Sequence, residues 1–303
     1  MITSPHLEEL DDAVNRALAT GDESSLHVLG YGEINTVVAW PKADGPYACK
    51  RLPIFDDVGR FEAYRAVFDD YMAALQAAGV TVHESHLVTR RRPDGAVVSY
   101  CIQPVLAPET LGPRWLRNAD ADGARTLFTR IVEHIRGTVR PTLGIDAQLS
   151  NWAIVGDDLV YLDVTTPLLR DEEGRDRLDT ELFMASLPAI MRPFVRRFLL
   201  DGILDPYYSL RRAAIDVAGN LHKERLAERV PLFVEIANER LGVDLSVAEV
   251  HRYYRRDARL WSLLQRARRV DRAWQRHVRR RPYQYLLPGP VDRRPGEHAS
   301  STG

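Results

Sequence analysis

The sequence predicts an α+β protein in which short antiparallel strands precede a larger, mainly helical region. Within the first 105 residues, β-prone runs alternate with turn-forming glycine, proline and aspartate. Later segments, namely 120–139, 181–204 and 210–241, repeat apolar side chains at helical spacing. Ser246 and Glu249 predict a capping box at the start of a further helix that runs through Leu263. With 303 residues, of which 45% are hydrophobic, the chain is long enough to bury a substantial core.

The first strands surround a glycine-containing turn. Residues 26–40 predict a strand, a turn with Gly30 and Gly32, and a second strand, and 46–52 predict a third. Such a turn lets backbone N–H groups approach a phosphate closely, although the same pattern also fits an ordinary hairpin. Lys50 lies on the third strand, and it is one of only three lysines among 41 basic residues. A compact ammonium suits phosphate oxygens where a planar guanidinium does not fit.

A helix and a second hairpin complete the predicted sheet region. Aromatic and apolar residues recur at helical spacing over 57–78, and Gly79 ends that helix. Residues 87–91 and 96–103 form a hairpin through the turn Pro93-Asp94-Gly95. The aromatic stripe of the helix is expected to belong to the core.

The segment from Gly144 to Asp163 carries the candidate chemistry. Two β-prone runs joined through Gly156 predict an antiparallel pair, which brings Asn151 at its entry close to Asp163 at its exit. Two oxygen donors at adjacent strand ends suit Mg²⁺, which completes its octahedron with water and phosphate oxygens. Asp146 precedes the hairpin in a loop, where it can face a substrate hydroxyl. The pattern predicts nucleotide-dependent phosphoryl transfer, although Asp and Asn are also common in turns for structural reasons.

Asp146, the Asn151 that follows after four intervening residues, and Asp163 after the hairpin resemble the catalytic core of the protein-kinase-like superfamily. The resemblance is strongest to its aminoglycoside-phosphotransferase-like small-molecule kinases. It implies that Asp146 is the catalytic base for the acceptor hydroxyl. It also implies that Asn151 and Asp163 bind magnesium on the phosphates of ATP.

The resemblance also assigns roles to the amino-terminal residues. Gly30 and Gly32 would place backbone amides near the phosphates, and Lys50 would hold the α- and β-phosphates. Glu62, 12 residues after Lys50, is the candidate partner of that lysine. The alternative is that Glu62 is simply a surface residue.

A bilobal fold follows from the same resemblance. Residues 1–105 would form a small lobe with an antiparallel sheet and one helix, and 106–287 a larger, mainly helical lobe with the catalytic loop and metal site. Gln103 and Val105 would lie at the hinge between them, where the backbone would hydrogen-bond adenine. Residues 288–303 predict a disordered tail.

The chain departs from the family pattern at two places. Gly144 stands where a His usually precedes the catalytic Asp by two residues, and Asp163-Val164-Thr165 replaces Asp-Phe-Gly. These departures keep a second hypothesis open, namely a pseudokinase or a nucleotide-gated interaction module. Phosphorylation of a protein substrate is a third hypothesis and is less favoured.

Composition limits the expected partners. We expect a cytoplasmic protein that uses ATP and Mg²⁺ to phosphorylate a hydroxyl of a small metabolite or natural product. No apolar run approaches the roughly 18 to 20 residues that span a membrane, and Cys49 and Cys101 are expected to be buried fillers. The net charge of −1 argues against a nucleic-acid partner. The Arg-rich stretch 251–281 is favoured as a solvated helix face, over a patch for a phosphorylated substrate, an acidic partner or RNA.

Overall fold

A computed structural model describes residues 4–20, 22–31, 36–41, 44–184 and 204–278, and it confirms the α+β class. Five antiparallel strands form one sheet in the order β1-β2-β3-β6-β5, and three short strands form a second in the order β4-β8-β7. The strands are β1 His27–Tyr31, β2 Thr36–Trp40, β3 Tyr47–Arg51, β4 Thr81–Val82, β5 His86–Arg91, β6 Val97–Pro104, β7 Trp152–Val155 and β8 Asp158–Tyr161. Strand β4 runs parallel to β8, a pairing that joins segments distant in sequence.

Helices dominate the second half of the chain. Those in the described ranges are α1 Ser4–Thr20, α2 Val58–Ala77, α3 Gly112–Asn118, α4 Ala121–Thr138, α5 Glu181–Met184, α6 Leu210–Lys223, α7 Val230–Leu241 and α8 Val247–His277. Short 3-10 turns include Leu149–Asn151, directly before β7, and Asp205–Tyr208, directly before α6. One large core joins α2, α4, α6 and α7 to the second sheet.

The predicted hairpins are confirmed, because local turn chemistry specifies them. Strands β5 and β6 pair from His86↔Ile102 to Arg91↔Val97. Strands β7 and β8 pair from Trp152↔Tyr161 to Val155↔Asp158, and Gly156 takes the positive φ of 61° that the tight turn requires. The turn between β1 and β2 includes Gly32, which lies outside the described residues, whereas Gly30 lies in β1 next to a shift of register.

Side-chain caps set several helix boundaries. The Asp57 carboxylate accepts a hydrogen bond of 2.9 Å from the Arg60 amide and starts α2. The Ser246 hydroxyl accepts 3.2 Å from the Glu249 amide and starts α8. The carboxylate of Glu249 bonds Arg211 at 2.7 Å. The predicted capping box is therefore formed on one side only, and α8 continues to His277, well beyond the expected end near Leu263.

The helical periodicity over 210–241 does not form one helix. Helix α6 ends at Lys223, and Arg225 adopts a left-handed conformation with φ of 59°. The Leu226 amide then bonds back to the Leu221 carbonyl at 2.8 Å, which closes the helix end. Pro231 lies in the first turn of α7, where its missing N–H costs nothing.

Helix α1, which the sequence patterns did not predict, covers one face of the larger sheet. Leu10, Val14 and Leu18 pack with Val98 and Ile102 in a separate small core. Asp11 is buried in this interface with 1% of its surface exposed. Its carboxylate receives the Arg51 guanidinium at 3.2 Å and the Tyr100 hydroxyl at 3.0 Å. The charge of Asp11 is therefore compensated where α1 meets the sheet.

Among the described helices, none is both long and apolar enough to cross a bilayer. Both cysteines are buried, as expected, and burial raises the pKa of each thiol to about 12. They are therefore neutral fillers at physiological pH.

Replacing Asp11 with Ala should lower the free energy of unfolding by about 3 kcal/mol, because the buried Arg51 guanidinium loses its counter-charge. The matched control is Asp12→Ala. Asp12 bonds Arg90 at 2.8 Å but is 55% exposed, so its removal should cost less than about 1 kcal/mol. Urea titrations of both variants measure the difference. Equal losses would contradict the assigned role of Asp11.

Candidate functional site

The centre of the candidate site is an ion pair between two residues far apart in sequence. The Lys50 Nζ lies 2.8 Å from an Asp163 carboxylate oxygen. Lys50 belongs to β3, and Asp163 follows β8, the central strand of the other sheet. Their side chains keep 19% and 28% of their surface exposed, so the pair is shielded yet open on one side. The structure thus joins the predicted phosphate-binding lysine to a predicted metal ligand.

Asp163 is ionised in this environment. Burial alone would raise the pKa of its carboxyl group, but the Lys50 ammonium and two hydrogen bonds from Thr165 lower the pKa below its usual value. The Thr165 hydroxyl donates at 3.0 Å and its amide at 3.3 Å to the carboxylate oxygen that Lys50 contacts. Thr165 therefore gives a structural reason for the sequence Asp-Val-Thr.

The hairpin places Asn151 beside the segment that carries Asp163. The Leu162 amide donates to the Asn151 carbonyl at 2.8 Å, which extends the β7–β8 pairing by one step. The Asn151 side-chain amide donates to the Asp146 carbonyl at 3.0 Å. Because the NH₂ end is engaged in this way, the amide oxygen of Asn151 is the end that can serve a cation.

Four side chains hold the backbone of the Asp146 loop through hydrogen bonds to three of its carbonyl groups. Tyr71 from α2 donates to the Gly144 carbonyl at 3.3 Å. Tyr161 from β8 donates at 3.2 Å, and Asn151 at 3.0 Å, to the Asp146 carbonyl. The Trp152 indole donates to the Ala147 carbonyl at 3.1 Å. The loop is therefore fixed by its surroundings.

The two tyrosines remain neutral donors. Burial raises the pKa of the Tyr71 and Tyr161 hydroxyls well above the usual value. Both rings belong to the fully buried core. Their hydroxyl protons are therefore retained at any physiological pH, and the loop geometry does not depend on titration of either group.

Steric crowding explains why position 144 is a glycine. A Cβ atom at this position would lie 2.9 Å from the Tyr207 carbonyl oxygen and 3.2 Å from its carbonyl carbon. The Gly144 amide donates to the Leu168 carbonyl at 2.9 Å, so the backbone is held from both sides. A His side chain cannot be placed here without moving the 205–208 turn.

The predicted Lys50–Glu62 pair is not formed. Glu62 lies on the solvent side of α2, where it contacts Arg65 at 3.5 Å. The opposite face of α2 buries Phe61 and Tyr64, and the Tyr64 hydroxyl donates to the Thr165 carbonyl at 3.0 Å. Packing of these aromatic rings fixes the rotation of α2, so it turns Glu62 away and Lys50 pairs with Asp163.

The predicted hinge residues have partners within the chain. The Val105 amide donates to the Pro46 carbonyl at 2.9 Å, and the Pro104 carbonyl is 2.9 Å from a ring nitrogen of His83. The Gln103 side chain donates to the Leu162 carbonyl at 2.8 Å. The Val105 N–H is thus not available for adenine, contrary to expectation, and Gln103 braces the strand that leads to Asp163.

A polar network lies on the other side of the Asp146 loop. The Gln148 amide donates to an Asp146 carboxylate oxygen at 3.3 Å. The Gln148 side chain donates to Asp216 at 2.9 Å and accepts from Asn220 at 3.1 Å, which ties the loop to α6. Tyr253 of α8 donates to Asp216 at 2.8 Å. A cavity of about 130 Å³ opens beside these residues.

Sequence patterns missed Thr165, Gln148 and the two loop-binding tyrosines. Thr165 had a local signal, because a hydroxyl two residues after an Asp is a common turn pattern. Tyr71 and Tyr161 had no local signal for this role, since Tyr71 belongs to the aromatic stripe of a helix and Tyr161 to an apolar run, and each reaches its carbonyl only in the folded chain.

The donor set suits a cation that brings other ligands with it. In the described part of the chain, no three His, Cys, Asp or Glu side chains converge as a metal site. One ionised carboxylate, Asp163, and one amide oxygen, Asn151, fit Mg²⁺, which keeps several waters or phosphate oxygens. The two residues are thus compatible with Mg²⁺ bound on a nucleotide and not with a metal held by protein alone.

Comparison with known proteins places the chain in a family. A family model described as "Family of unknown function (DUF6206)" matches residues 9–272, so the chain belongs to this family. A search of curated proteins found no significant match.

Gly144→Ala should destabilise the fold by roughly 1–3 kcal/mol, since the added methyl meets the Tyr207 backbone. Gly137→Ala in α4 is the matched control. Its Cβ would lie an ordinary 3.5 Å from the nearest atom, so it should be neutral or stabilising by up to about 1 kcal/mol. Thermal and urea unfolding compare the two. A neutral Gly144→Ala would show that the loop has room for a side chain.

The stability supplied by Asp163 should depend on pH. The pKa of its carboxyl is lower in the folded chain than in the unfolded chain, where it titrates near about 3.9. Its contribution is therefore fully present above that pH and is lost as the pH falls through the folded value. The difference in unfolding free energy between the wild type and Asp163→Asn should shrink as the pH falls below about 4.

Thr165→Val supplies the matched test, because it removes a hydrogen bond that lowers the pKa of Asp163. In that background the contribution of Asp163 should be smaller at neutral pH, and it should be fully lost at a higher pH than in the wild type. Denaturant titrations at several pH values measure both curves. A wild-type difference that stays constant down to low pH would mean that Asp163 gains nothing from Lys50.

Proposed function

We propose that this protein is an ATP- and Mg²⁺-dependent phosphotransferase that acts on a hydroxyl group of a small molecule, with a bilobal kinase-like arrangement. The observation that carries the proposal is the Lys50–Asp163 contact of 2.8 Å across 113 residues of sequence. The predicted phosphate-binding lysine and the predicted metal ligand meet beside the loop that holds Asp146. If these polar residues were present only because turns favour them, there would be no reason for Lys50 and Asp163 to meet.

The residues would promote phosphate transfer by positioning the reactants and by neutralising charge. Lys50 would neutralise phosphate oxygens, and Asn151 and Asp163 would hold the magnesium that the nucleotide brings. Asp146 would accept the proton of the acceptor hydroxyl and orient it for in-line attack. The Gln148 amide, 3.3 Å from the Asp146 carboxylate, steadies that side chain without supplying a positive charge.

Phosphate binding requires the ion pair to open. Lys50 and Asp163 already satisfy each other, so a magnesium nucleotide must bring a cation for Asp163 and anionic oxygens for Lys50 at the same time. Either partner alone would leave one half-buried charge uncompensated. The arrangement therefore favours a ligand that carries both charges, as Mg²⁺·ATP does.

The cavity between α6, α8 and the Asp146 loop is the natural place for the acceptor. Its volume of about 130 Å³ suits a single small ring or a short hydroxylated chain, since engineered cavities of about 150 Å³ hold benzene. Asn220 is 4% exposed, and its side-chain oxygen has no hydrogen-bond partner. Lys223 also lines this cavity. The Asn220 oxygen can accept a hydrogen bond from a hydroxyl group, and the Lys223 ammonium can bind an anionic group.

A second function is favoured by the position of Glu62. With Glu62 on the surface and Lys50 paired to Asp163, the lysine lacks the helix carboxylate that active kinases use. A nucleotide-binding module that does not transfer phosphate would need no such carboxylate. The two functions differ in turnover and not in nucleotide binding.

Asp146→Asn should reduce turnover by roughly 10²–10⁴-fold while leaving the thermal shift caused by Mg²⁺·ATP unchanged, because Asp146 acts on the acceptor and not on the nucleotide. Asp157→Asn, in the exposed β7–β8 turn, is the matched control and should keep full turnover. ADP release is measured over a panel of small hydroxylated acceptors.

The outcomes separate the hypotheses. Full activity of Asp146→Asn would exclude Asp146 as the base. A thermal shift with Mg²⁺·ATP but no turnover in the wild type would favour the binding module. Absence of any shift with ATP or GTP would contradict both.

A further inference from the structure

The carboxy-terminal part of helix α8 carries large apolar side chains on its outer face. Leu260, Leu263, Val270 and Trp274 are 64%, 60%, 71% and 55% exposed, respectively. They fall within an arc of about 80° when each residue turns the helix by about 100°. Exposed side chains of this size, gathered on one face, indicate an interaction surface.

The opposite face of the same helix is the one the chain uses for its own packing. Ala258, Gln265 and Arg268 are 5%, 3% and 2% exposed, whereas the outer stripe faces solvent. Within the described ranges, which leave out 185–203 and everything after 278, the stripe therefore packs against no other part of the chain. Its residues are also not needed to hold α8 in place.

The spacing of the stripe is typical of a helix that packs along another helix. Leu260, Leu263, Ala267, Val270 and Trp274 are separated by steps of 3, 4, 3 and 4 residues, which are the a and d positions of a heptad pattern. A helix that lies on a lipid surface presents a wider apolar face. The narrow seam, with Arg259 and Arg266 directly beside it, favours a partner helix.

Charge at the flanking positions indicates which helix fits. In this heptad frame Arg266 is a g position and Asp271 an e position, and neither has an ion pair within the described chain. Five residues apart on one helix, they do not face each other. A parallel second copy would place Arg266 of one chain against Asp271 of the other. An antiparallel copy would instead place like charges together.

We propose that two copies of this chain associate through the 260–274 face of α8 as a parallel, in-register helix pair. The seam consists of Leu260, Leu263, Ala267, Val270 and Trp274, and the Arg266–Asp271 pairs between copies set the direction. None of these residues is assigned to phosphate transfer. Self-association can therefore be tested independently of the proposed function.

Site-directed cross-linking tests the orientation. Leu263→Cys introduces an accessible thiol, while native Cys49 and Cys101 are buried and unreactive. In a parallel pair, two copies of Leu263→Cys should be joined efficiently by a short bismaleimide. Arg255→Cys, exposed on the same helix but off the seam, is the matched control and should cross-link poorly. A mixture of Leu263→Cys with a size-tagged Val270→Cys should give few mixed products.

Charge exchange tests the pairing. Arg266→Glu or Asp271→Arg alone should weaken self-association by about tenfold, and the double variant should restore it. Sedimentation equilibrium of the full chain measures the dissociation constant. Melting temperatures measured at concentrations where all variants are monomeric should match the wild type, because both side chains lie outside the core.

Three outcomes would overturn the proposal. The wild type could remain monomeric at high micromolar concentration, or mixed Leu263–Val270 products could dominate. The charge-exchanged double variant could also be no better than the single variants. Binding of the stripe to a foreign acidic helix while the chain stays monomeric would assign the surface to a different partner.

Discussion

The ion pair between Lys50 and Asp163 is the contact on which the arrangement of the site depends. Each charge is largely withdrawn from water, so each requires a partner to offset its desolvation. Lys50 lies opposite Cys101, a neutral buried thiol, and draws no compensation from that neighbour. Asp163 therefore determines where the lysine points. The same carboxylate orders Thr165, whose carbonyl in turn receives the Tyr64 hydroxyl from α2.

The position of Asp146 depends on uncharged donors instead. Tyrosine, tryptophan and asparagine side chains from four elements bind the carbonyl groups of Gly144, Asp146 and Ala147, and burial keeps both tyrosines protonated. This scheme needs no His two residues before the Asp. Gly144 allows the backbone to lie against Tyr207, which closes the loop from the other side. The departure at Gly144 is thus accompanied by a different way of holding the loop, so it is not by itself a sign of lost function.

Sequence alone predicted the features that local chemistry determines. The β7–β8 hairpin follows from Gly156, and helix α2 starts at its Asp57 cap, so these were found. The rotation of α2 about its axis depends on how Phe61 and Tyr64 pack, and no local pattern contains that information. Glu62 was therefore wrongly placed. The break at Arg225 was missed for a related reason, since a non-glycine residue with positive φ gives no signal in sequence.

Helix α8 links the candidate site to the outer stripe. Near its start, Tyr253 bonds Asp216 and so reaches the network that carries Gln148 and the Asp146 loop. Two to three turns later the same helix presents Leu260 and Leu263 to solvent. Because α8 is continuous from Val247 to His277, its two parts move together as one element. A helix packed along the stripe would therefore restrain the wall of the cavity beside Gln148 and Asn220, even though it touches no residue of that cavity.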